Sequence, residues 1–178
     1  MMTAEELRAY NKDRVFGQIG YVTRDAMRTA KLWTEKLAIG PWRFVSLSDE
    51  SCHDAKILVD GKLGEMEHFK FICAICNAGN MQFELIEPVY GPTIYGKFLE
   101  EHGEGLHHFK EKIATEDWEK VVNGYKERGC NVTMAGAYGN NGWAYLDTDD
   151  ACIVELGDMG VNTTFPEGSE LHYYPEEA

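Results

Sequence analysis

Residues 81–86 read Met81-Gln82-Phe83-Glu84-Leu85-Ile86, and residues 152–156 read Cys152-Ile153-Val154-Glu155-Leu156. Both stretches are apolar and rich in the residue types of buried strands, yet each contains one glutamate. Because side chains alternate along a strand, both glutamates project from the face opposite their strand's main apolar side. Burying an unpaired carboxylate costs several kcal/mol. The two strands therefore predict a sheet with one unusual, polar face.

The predicted elements follow the same order twice along the chain, and the two glutamate-containing strands are the last element of each repeat. In the first half, the patterns predict a strand over 15–22, a helix over 25–38 capped by Asp25, and strands over 42–47, 69–76 and 81–86. In the second half they predict a strand over 106–114, a helix over 115–128 capped by Thr115, and strands over 131–134, 143–147 and 152–156. Each half thus reads β-α-β-β-β, although the halves share little identity.

These elements divide the chain into five segments. We expect an N-terminal helical extension over 1–14, a first module over 15–88, a linker with a short helix over 89–105, a second module over 106–157 and an acidic tail over 158–178. The polar insertion over 48–67 has no assignment. The predicted helix at 25–38 has an apolar side, which comprises Met27, Ala30, Leu32, Trp33 and Leu37.

The first strand of each half is also interrupted by one polar residue. Gln18 lies in the first of these strands and His108 in the second. Each of the four polar residues has an ordinary explanation alone, because charged strand residues are usually solvated, strand amides are usually hydrogen-bonded, and His108 adjoins His107. Their matching positions in both halves instead predict that they converge. Two carboxylates would then balance the charge of a divalent cation.

The composition excludes several classes of protein. The chain has 178 residues, 17 basic against 30 acidic, a net charge of −13 and a 44 % hydrophobic fraction. This is a globular composition, and its acidity argues against binding nucleic acid or an anionic membrane. No signal peptide or membrane span is evident, so we expect a cytoplasmic protein. Five cysteines at irregular spacing indicate free thiols, and Cys73 and Cys76 would face opposite sides of one strand.

Four segments carry a resemblance to a known superfamily: residues 16–22, 81–88, 97–109 and 153–156. The most specific part reads Phe98-Leu99-Glu100-Glu101-His102-Gly103-Glu104-Gly105-Leu106-His107-His108. The chain resembles the vicinal oxygen chelate superfamily, in particular its glyoxalase I and methylmalonyl-CoA epimerase branch. The resemblance implies an α+β fold, in which paired βαβββ modules form a metal-binding cup, and a homodimer.

The resemblance also implies a ligand set. The metal ligands would be Gln18, Glu84, His108 and Glu155, a set similar to that of eukaryotic glyoxalase I. Nitrogen and oxygen donors without thiolate suit zinc, nickel, cobalt or manganese. The epimerases carry a further acid on the third strand of the first module, where this chain reads Lys70-Phe71-Ile72, although Glu65 and Glu67 lie nearby.

The implied activity is that of a metal-dependent isomerase, epimerase or lyase. Such an enzyme stabilises an enediolate or enolate of a small carbonyl or thioester substrate. Glu155 or Glu84 would carry the proton, with Glu155 preferred. Lys110 would either bind a substrate carboxylate or thioester oxygen, or be a surface lysine. The alternative is a non-catalytic protein that sequesters a small molecule in the same cup, with aromatic walls supplied by Trp33, Trp42, Trp143 and Tyr145.

Overall fold

The computed structural model describes residues 2–149, 153–158 and 164–176. The helices are α1 (Ala4–Asn11), α2 (Ala26–Leu37), α3 (Ile94–His102) and α4 (Trp118–Glu127), with a 3-10 turn (Thr115–Asp117) before α4. The strands are β1 (Val15–Val22), β2 (Trp42–Ser48), β3 (Cys52–Val59), β4 (Lys62–Glu65), β5 (Lys70–Ala78), β6 (Met81–Tyr90), β7 (Gly105–Lys112), β8 (Asn131–Tyr138), β9 (Asn141–Asp147), β10 (Ile153–Gly157) and β11 (Leu171–Tyr174). The predicted start of β10, at Cys152, lies outside the described residues.

All of these strands join one mixed sheet in the order β11-β2-β5-β6-β1-β7-β10-β9-β8-β3-β4. The first strand of each half pairs in parallel with the last, β1 with β6 and β7 with β10, and the antiparallel β1–β7 pair joins the halves. The sheet curls into a half-barrel. This confirms the predicted α+β fold of paired βαβββ modules.

The two faces of the sheet bury different cores. One hydrophobic cluster fills the inside of the curl, where Ile86 of β6 packs with Trp143 and Tyr145 of β9. Two other clusters lie beneath the helices on the outside, with Leu85 in the α2 cluster and Val154 in the α4 cluster. The alternation of β6 and β10 therefore aims Glu84 and Glu155 into the curl, as their sequences predict.

The helix boundaries show where local patterns held and where they failed. Asp25 caps α2, because its side chain accepts a hydrogen bond from the backbone N–H of Arg28. Leu32 and Leu37 were wrongly assigned to the apolar side of α2, since they are 44 % and 58 % exposed. The prediction that Thr115 caps the second-half helix is also wrong, because Thr115 begins the 3-10 turn and makes no capping hydrogen bond there.

Two segments that lacked a clear assignment extend the edges of the sheet. The 48–67 insertion contains the β3–β4 hairpin, and β3 pairs with β8 of the other half, so that Ile57 lies opposite Met134 in the inner core. Part of the predicted acidic tail is ordered structure, because β11 pairs with β2. Residues 159–163 and 177–178 of that tail lie outside the described residues. No helix in the described chain is long and apolar enough to span a membrane.

Candidate metal centre

Two neighbouring rows of inward side chains cross the middle of the sheet. In the first row, Gly20 of β1 lies between Glu84 of β6 and His108 of β7. In the second row, Lys110 of β7 lies between Gln18 of β1 and Glu155 of β10. Directly paired residues project from the same face of a sheet. The register therefore collects the four predicted ligands and Lys110 in one place.

His108 lies at the centre of this group. Its ring is fully buried, and its Nε2 atom is 3.1 Å from Glu155 Oε2 and 3.5 Å from Glu84 Oε2. Donor atoms of these three residues all lie within 4.8 Å of one another. Burial lowers the pKa of His108, but the Glu155 and Glu84 carboxylates outweigh it and raise the pKa to about 8. The two carboxylates thus create a strong preference for positive charge at this point.

A β-bulge brings the neighbouring histidine into the same interior. Along β1 and β7, Gly20 pairs with His108 but Tyr21 pairs with Leu106, so His107 is an extra residue on its strand. Its Nδ1 atom lies 3.0 Å from His108 Nδ1, and its ring contacts Tyr95 and other aromatic side chains. Burial, helped by His108, lowers the pKa of His107 to about 3. His107 is therefore a neutral, buried neighbour of His108.

Gln18 is oriented by a chain of amides. Its Nε2 atom donates to Gln82 Oε1 at 2.6 Å, and Gln82 Nε2 donates to Asn77 Oδ1 at 3.0 Å. This arrangement uses the nitrogen of the Gln18 amide and leaves Gln18 Oε1 without a hydrogen-bond partner in the described chain. An oxygen fixed in this way is suited to binding a cation.

Lys110 is a buried member of the site, so the expectation of a surface lysine is wrong. Its Nζ atom lies 2.9 Å from Glu155 Oε1. Burial lowers the pKa of Lys110, but Glu155 and Glu84 outweigh burial and raise it. Burial likewise raises the pKa of Glu155, but Lys110 and His108 outweigh it and lower the pKa to about 2. Both members of the pair are charged.

One polar atom from each predicted ligand is left unsatisfied. Within the described residues, four buried atoms make no hydrogen bond of good geometry, namely Gln18 Oε1, Glu84 Oε2, His108 Nε2 and Glu155 Oε2, although His108 Nε2 faces the two carboxylate oxygens at 3.5 and 3.1 Å. Unpaired buried polar atoms are costly and uncommon in native proteins. Three oxygens and one imidazole nitrogen, with two carboxylate charges, form a donor set that fits a divalent cation.

A cavity of about 600 Å³, including its open mouth, lies beside this group. Gln18, Glu84, Lys110 and Glu155 line it, and His108 lies behind the carboxylates. Aromatic side chains form much of its remaining wall: Phe71, Tyr95, Tyr138, Trp143, Tyr145 and Phe165. The Tyr95 hydroxyl donates to the Tyr145 hydroxyl at 2.8 Å.

Several residues considered from the sequence lie elsewhere. Trp33 and Trp42 belong to the outer cluster under α2, so they do not form walls of the cup. Glu65 lies exposed on β4 at the edge of the sheet and does not line the cavity. Cys73 and Cys76 face the inner and outer cores respectively, as predicted.

Arg43 also lines the cavity, from β2, and it is not among the site residues predicted from the sequence. The signal was present, because Trp42-Arg43-Phe44-Val45 places one charged residue in an apolar strand, as Glu84 and Glu155 are placed in theirs. Asn141 also lines the cavity. It begins β9, where an asparagine is typical of a turn and gives no distinct signal.

The curled sheet and its inner cluster define a class of protein, a βαβββ cup with a buried Glu-His-Glu group that can hold a metal. Residues 17–146 match the Glyoxalase/Bleomycin resistance protein/Dioxygenase superfamily, and the chain belongs to this superfamily. No curated protein sequence gives a significant match.

Solved structures share the fold at low sequence identity. A variant of the Streptomyces coelicolor methylmalonyl-CoA epimerase, in complex with 2-nitronate-propionyl-CoA, is 17 % identical, with a TM-score of 0.58 over 85 % of this chain and 98 % of that one. The Mycobacterium tuberculosis methylmalonyl-CoA epimerase is 14 % identical, with a TM-score of 0.55 over 80 % and 86 %. A hypothetical protein from Bacillus halodurans C-125 is 18 % identical, with a TM-score of 0.56 over 82 % and 94 %. At these identities the likeness concerns the fold.

Proposed function

We propose that this chain is a metal-dependent isomerase, epimerase or lyase of the glyoxalase-like type, acting on a small carbonyl or thioester compound. The observation that carries the proposal is the convergence of four buried donor atoms, none with a hydrogen bond of good geometry, beside a cavity. Membership of the superfamily and the likeness to two methylmalonyl-CoA epimerases support it. Each chain would consist of two modules, over 15–88 and 106–157, and two chains would form a homodimer in the cytoplasm.

Four side chains would hold the cation: Gln18 through Oε1, His108 through Nε2, and Glu84 and Glu155 through their carboxylates. When bound, zinc, nickel, cobalt or manganese would supply Lewis acidity toward a carbonyl oxygen of the substrate. Gln82 orients the Gln18 amide for this role through their hydrogen bond of 2.6 Å.

Glu155 is the proposed proton acceptor for a C–H bond adjacent to the carbonyl. Lys110 holds Glu155 Oε1 at 2.9 Å, which keeps the carboxylate in the cavity. Glu155 Oε2 is then the oxygen left both to hold the cation and to accept the proton, so the carboxylate would serve these two roles in turn. Glu84 is the second carboxylate of the cavity and the alternative acceptor. Aromatic walls including Tyr145 and Trp143 limit the access of water, which strengthens electrostatic interactions inside the cup.

A non-catalytic binding protein is the second candidate. Trp143 and Tyr145 line the cavity, as expected for a protein that sequesters a small molecule. The same cup would then hold a ligand without reaction. Proton exchange distinguishes the two candidates, because only the enzyme removes a proton from its ligand.

Metal binding tests the ligand set. Replacing His108 by alanine removes a donor atom, and we expect it to lower the affinity for Zn²⁺ or Co²⁺ by roughly tenfold or more. His107→Ala is the comparison, because that ring contacts His108 but supplies none of the four proposed donor atoms, and a smaller loss is expected. Elemental analysis and metal titration measure both variants. Equal losses, or no bound metal in the wild-type protein after reconstitution, contradict the proposed site.

Hydrogen exchange tests the chemistry. Metal-loaded protein should exchange the hydrogen next to the carbonyl of its substrate with solvent deuterium, as screened over acyl thioesters, hemithioacetals and 2-oxo acids by mass spectrometry. Glu155→Gln should retain metal, because an amide oxygen still binds a cation, but should lose exchange, because an amide accepts no proton at neutral pH. Full exchange in this variant would transfer the role to Glu84. Tight ligand binding without exchange would support the sequestering protein.

A further inference from the structure

Arg43 is a cavity residue that the proposed chemistry leaves without a role. It lies in the same inward row as Glu84, because Arg43 pairs with Ile75 and Ile75 pairs with Glu84. Its Nε atom is buried and lacks a hydrogen-bond partner in the described part of the chain. The guanidinium contacts the Phe165 ring, 5.0 Å from its centroid, and forms no ion pair with a described carboxylate. Arg43 as a whole is half-buried, so its guanidinium faces the cavity with one buried N–H that no described residue accepts, and an anion in the cavity would supply the missing acceptor.

Two more unsatisfied polar atoms lie in the wall contributed by β9. Trp143 Nε1, a donor, and Asn141 Oδ1 are both buried without partners among residues 2–149, 153–158 and 164–176. Both residues line the same cavity as Arg43. The cavity therefore has a second polar group of atoms, separate from the four proposed metal donors.

The charges of the cavity favour an anion even though the whole chain carries a net charge of −13. Glu84 and Glu155 would balance a divalent cation, and the positive charges of Lys110 and Arg43 would remain. Lys110 is paired with Glu155, so Arg43 is the charge available to a ligand. An arginine fork matches a carboxylate, with which it forms two parallel hydrogen bonds.

We infer that the substrate carries a carboxylate, in addition to the oxygens near the metal, and that Arg43 binds it with help from the indole N–H of Trp143. This inference rests on the proposed function and adds the substrate class, a small carbonyl compound with a separate acid group. The β2 and β6 backbones lie two strands apart, about 10 Å. The long Arg43 side chain covers part of this distance. The carboxylate of the substrate would therefore lie only a few carbon atoms from its reacting carbonyl group.

A matched pair of 2-oxo acids tests the inference with the full-length protein loaded with Co²⁺. 2-Oxoglutarate and 2-oxopentanoate present the same neighbouring oxygens and the same chain length, but only the first ends in a carboxylate. Calorimetry and the visible absorption of the bound Co²⁺ report binding without any need for turnover. We expect 2-oxoglutarate, or its longer homologue 2-oxoadipate, to bind roughly tenfold or more tightly than 2-oxopentanoate.

Arg43→Gln should abolish this preference and leave the affinity for 2-oxopentanoate and for Co²⁺ unchanged. Arg8→Gln, on the exposed face of α1, is the control and should retain the preference. Equal affinities in the wild-type protein, or a preference that survives Arg43→Gln, overturn the inference and leave the metal site intact. Binding of none of the three acids by the Co²⁺-loaded protein likewise overturns the inference, whereas failure of the protein to bind Co²⁺ at all overturns the proposed function.

Discussion

At the scale of single residues, His108 reaches the two carboxylates because its strand neighbours make room for it. A β-carbon built on Gly20 would lie 1.9 Å from His108 Cε1, so the imidazole occupies the place of a side chain on β1. The bulge at His107 lies at the same point of the β1–β7 pair. Glycine in a strand interior often marks such a close approach.

Gly20→Ala should therefore damage the proposed metal centre more than the fold. The methyl group must displace the His108 ring, and we expect affinity for Zn²⁺ or Co²⁺ to fall by about tenfold or more, as for changes in residues that support metal ligands. Gly64→Ala on β4 is the matched control, because no atom lies within 4 Å of the added carbon. Metal titration and circular dichroism measure both variants. Wild-type affinity in Gly20→Ala would show that His108 is not a ligand in this position.

At the scale of elements, the hairpin over β3 and β4 is part of the core of the other half. Ile57 is 9 % exposed and lies opposite Met134, which is fully buried. On the opposite edge, β11 pairs with β2, and the preceding segment brings Phe165 against Arg43 and Tyr138. Both added elements therefore contribute to the walls of the cup or to its packing.

Ile57→Ala should destabilise the whole chain, because it leaves a cavity in the inner core. The expected loss in the free energy of unfolding is about 2–4 kcal/mol. Leu63→Ala is the control from the same hairpin, since Leu63 is 43 % exposed and its replacement should cost within about 0.5 kcal/mol. Urea denaturation followed by tryptophan fluorescence measures the difference. Similar small losses in both variants would indicate that the hairpin packs independently of the core.

At the scale of the whole molecule, the two halves meet along β1 and β7, and a side-chain contact closes one end of this seam. Glu104, just before β7, accepts hydrogen bonds from the backbone N–H of Arg24 at 2.9 Å and from the Thr23 hydroxyl at 2.8 Å. Arg28 of α2 also pairs with this carboxylate. The Arg24 amide most strongly, then Thr23 and Arg28, lower the pKa of Glu104 from 4.5 to about 2.

This lowered pKa predicts how the stability of the joined halves depends on pH. The folded state holds the charged carboxylate, so the contribution is complete above the ordinary pKa of 4.5 and declines as pH falls toward 2. Glu104→Gln should be less stable than the wild-type protein at neutral pH, and the difference should shrink between about pH 5 and pH 3. Glu100→Gln, an exposed glutamate of α3, should show no such trend. Urea denaturation across this pH range measures it, and a constant difference would contradict the assigned role of Glu104.

The sequence predicted the elements of the two β-α-β-β-β modules and the sheet face from which the Glu84 and Glu155 carboxylates project. The alternation around Glu84 and Glu155 depends only on strand geometry, so it fixed the face of each residue before any packing was known. The short helix predicted in the 89–105 linker is α3, Ile94–His102, because Thr93 and Gly103 mark its ends locally. The Asp60-Gly61 turn is a local signal for the β3–β4 hairpin that was not used. The pairing of β3 with β8 could not be predicted, because β8 begins more than 70 residues after β3 ends.

What the sequence determined by itself was therefore local: strand, helix and the side of a strand from which a residue projects. Tertiary structure decided the rest, because register between distant strands sets which side chains meet. It buried Lys110 against Glu155, although two residues beyond His108 the sequence was equally compatible with a surface position. It also brought Arg43 into the cup through pairing with β5, and it placed Trp33 and Trp42 outside. The sequence determines the type of each residue and the face of its strand. The charged groups that it contacts depend on the register between strands that pair only in the folded sheet.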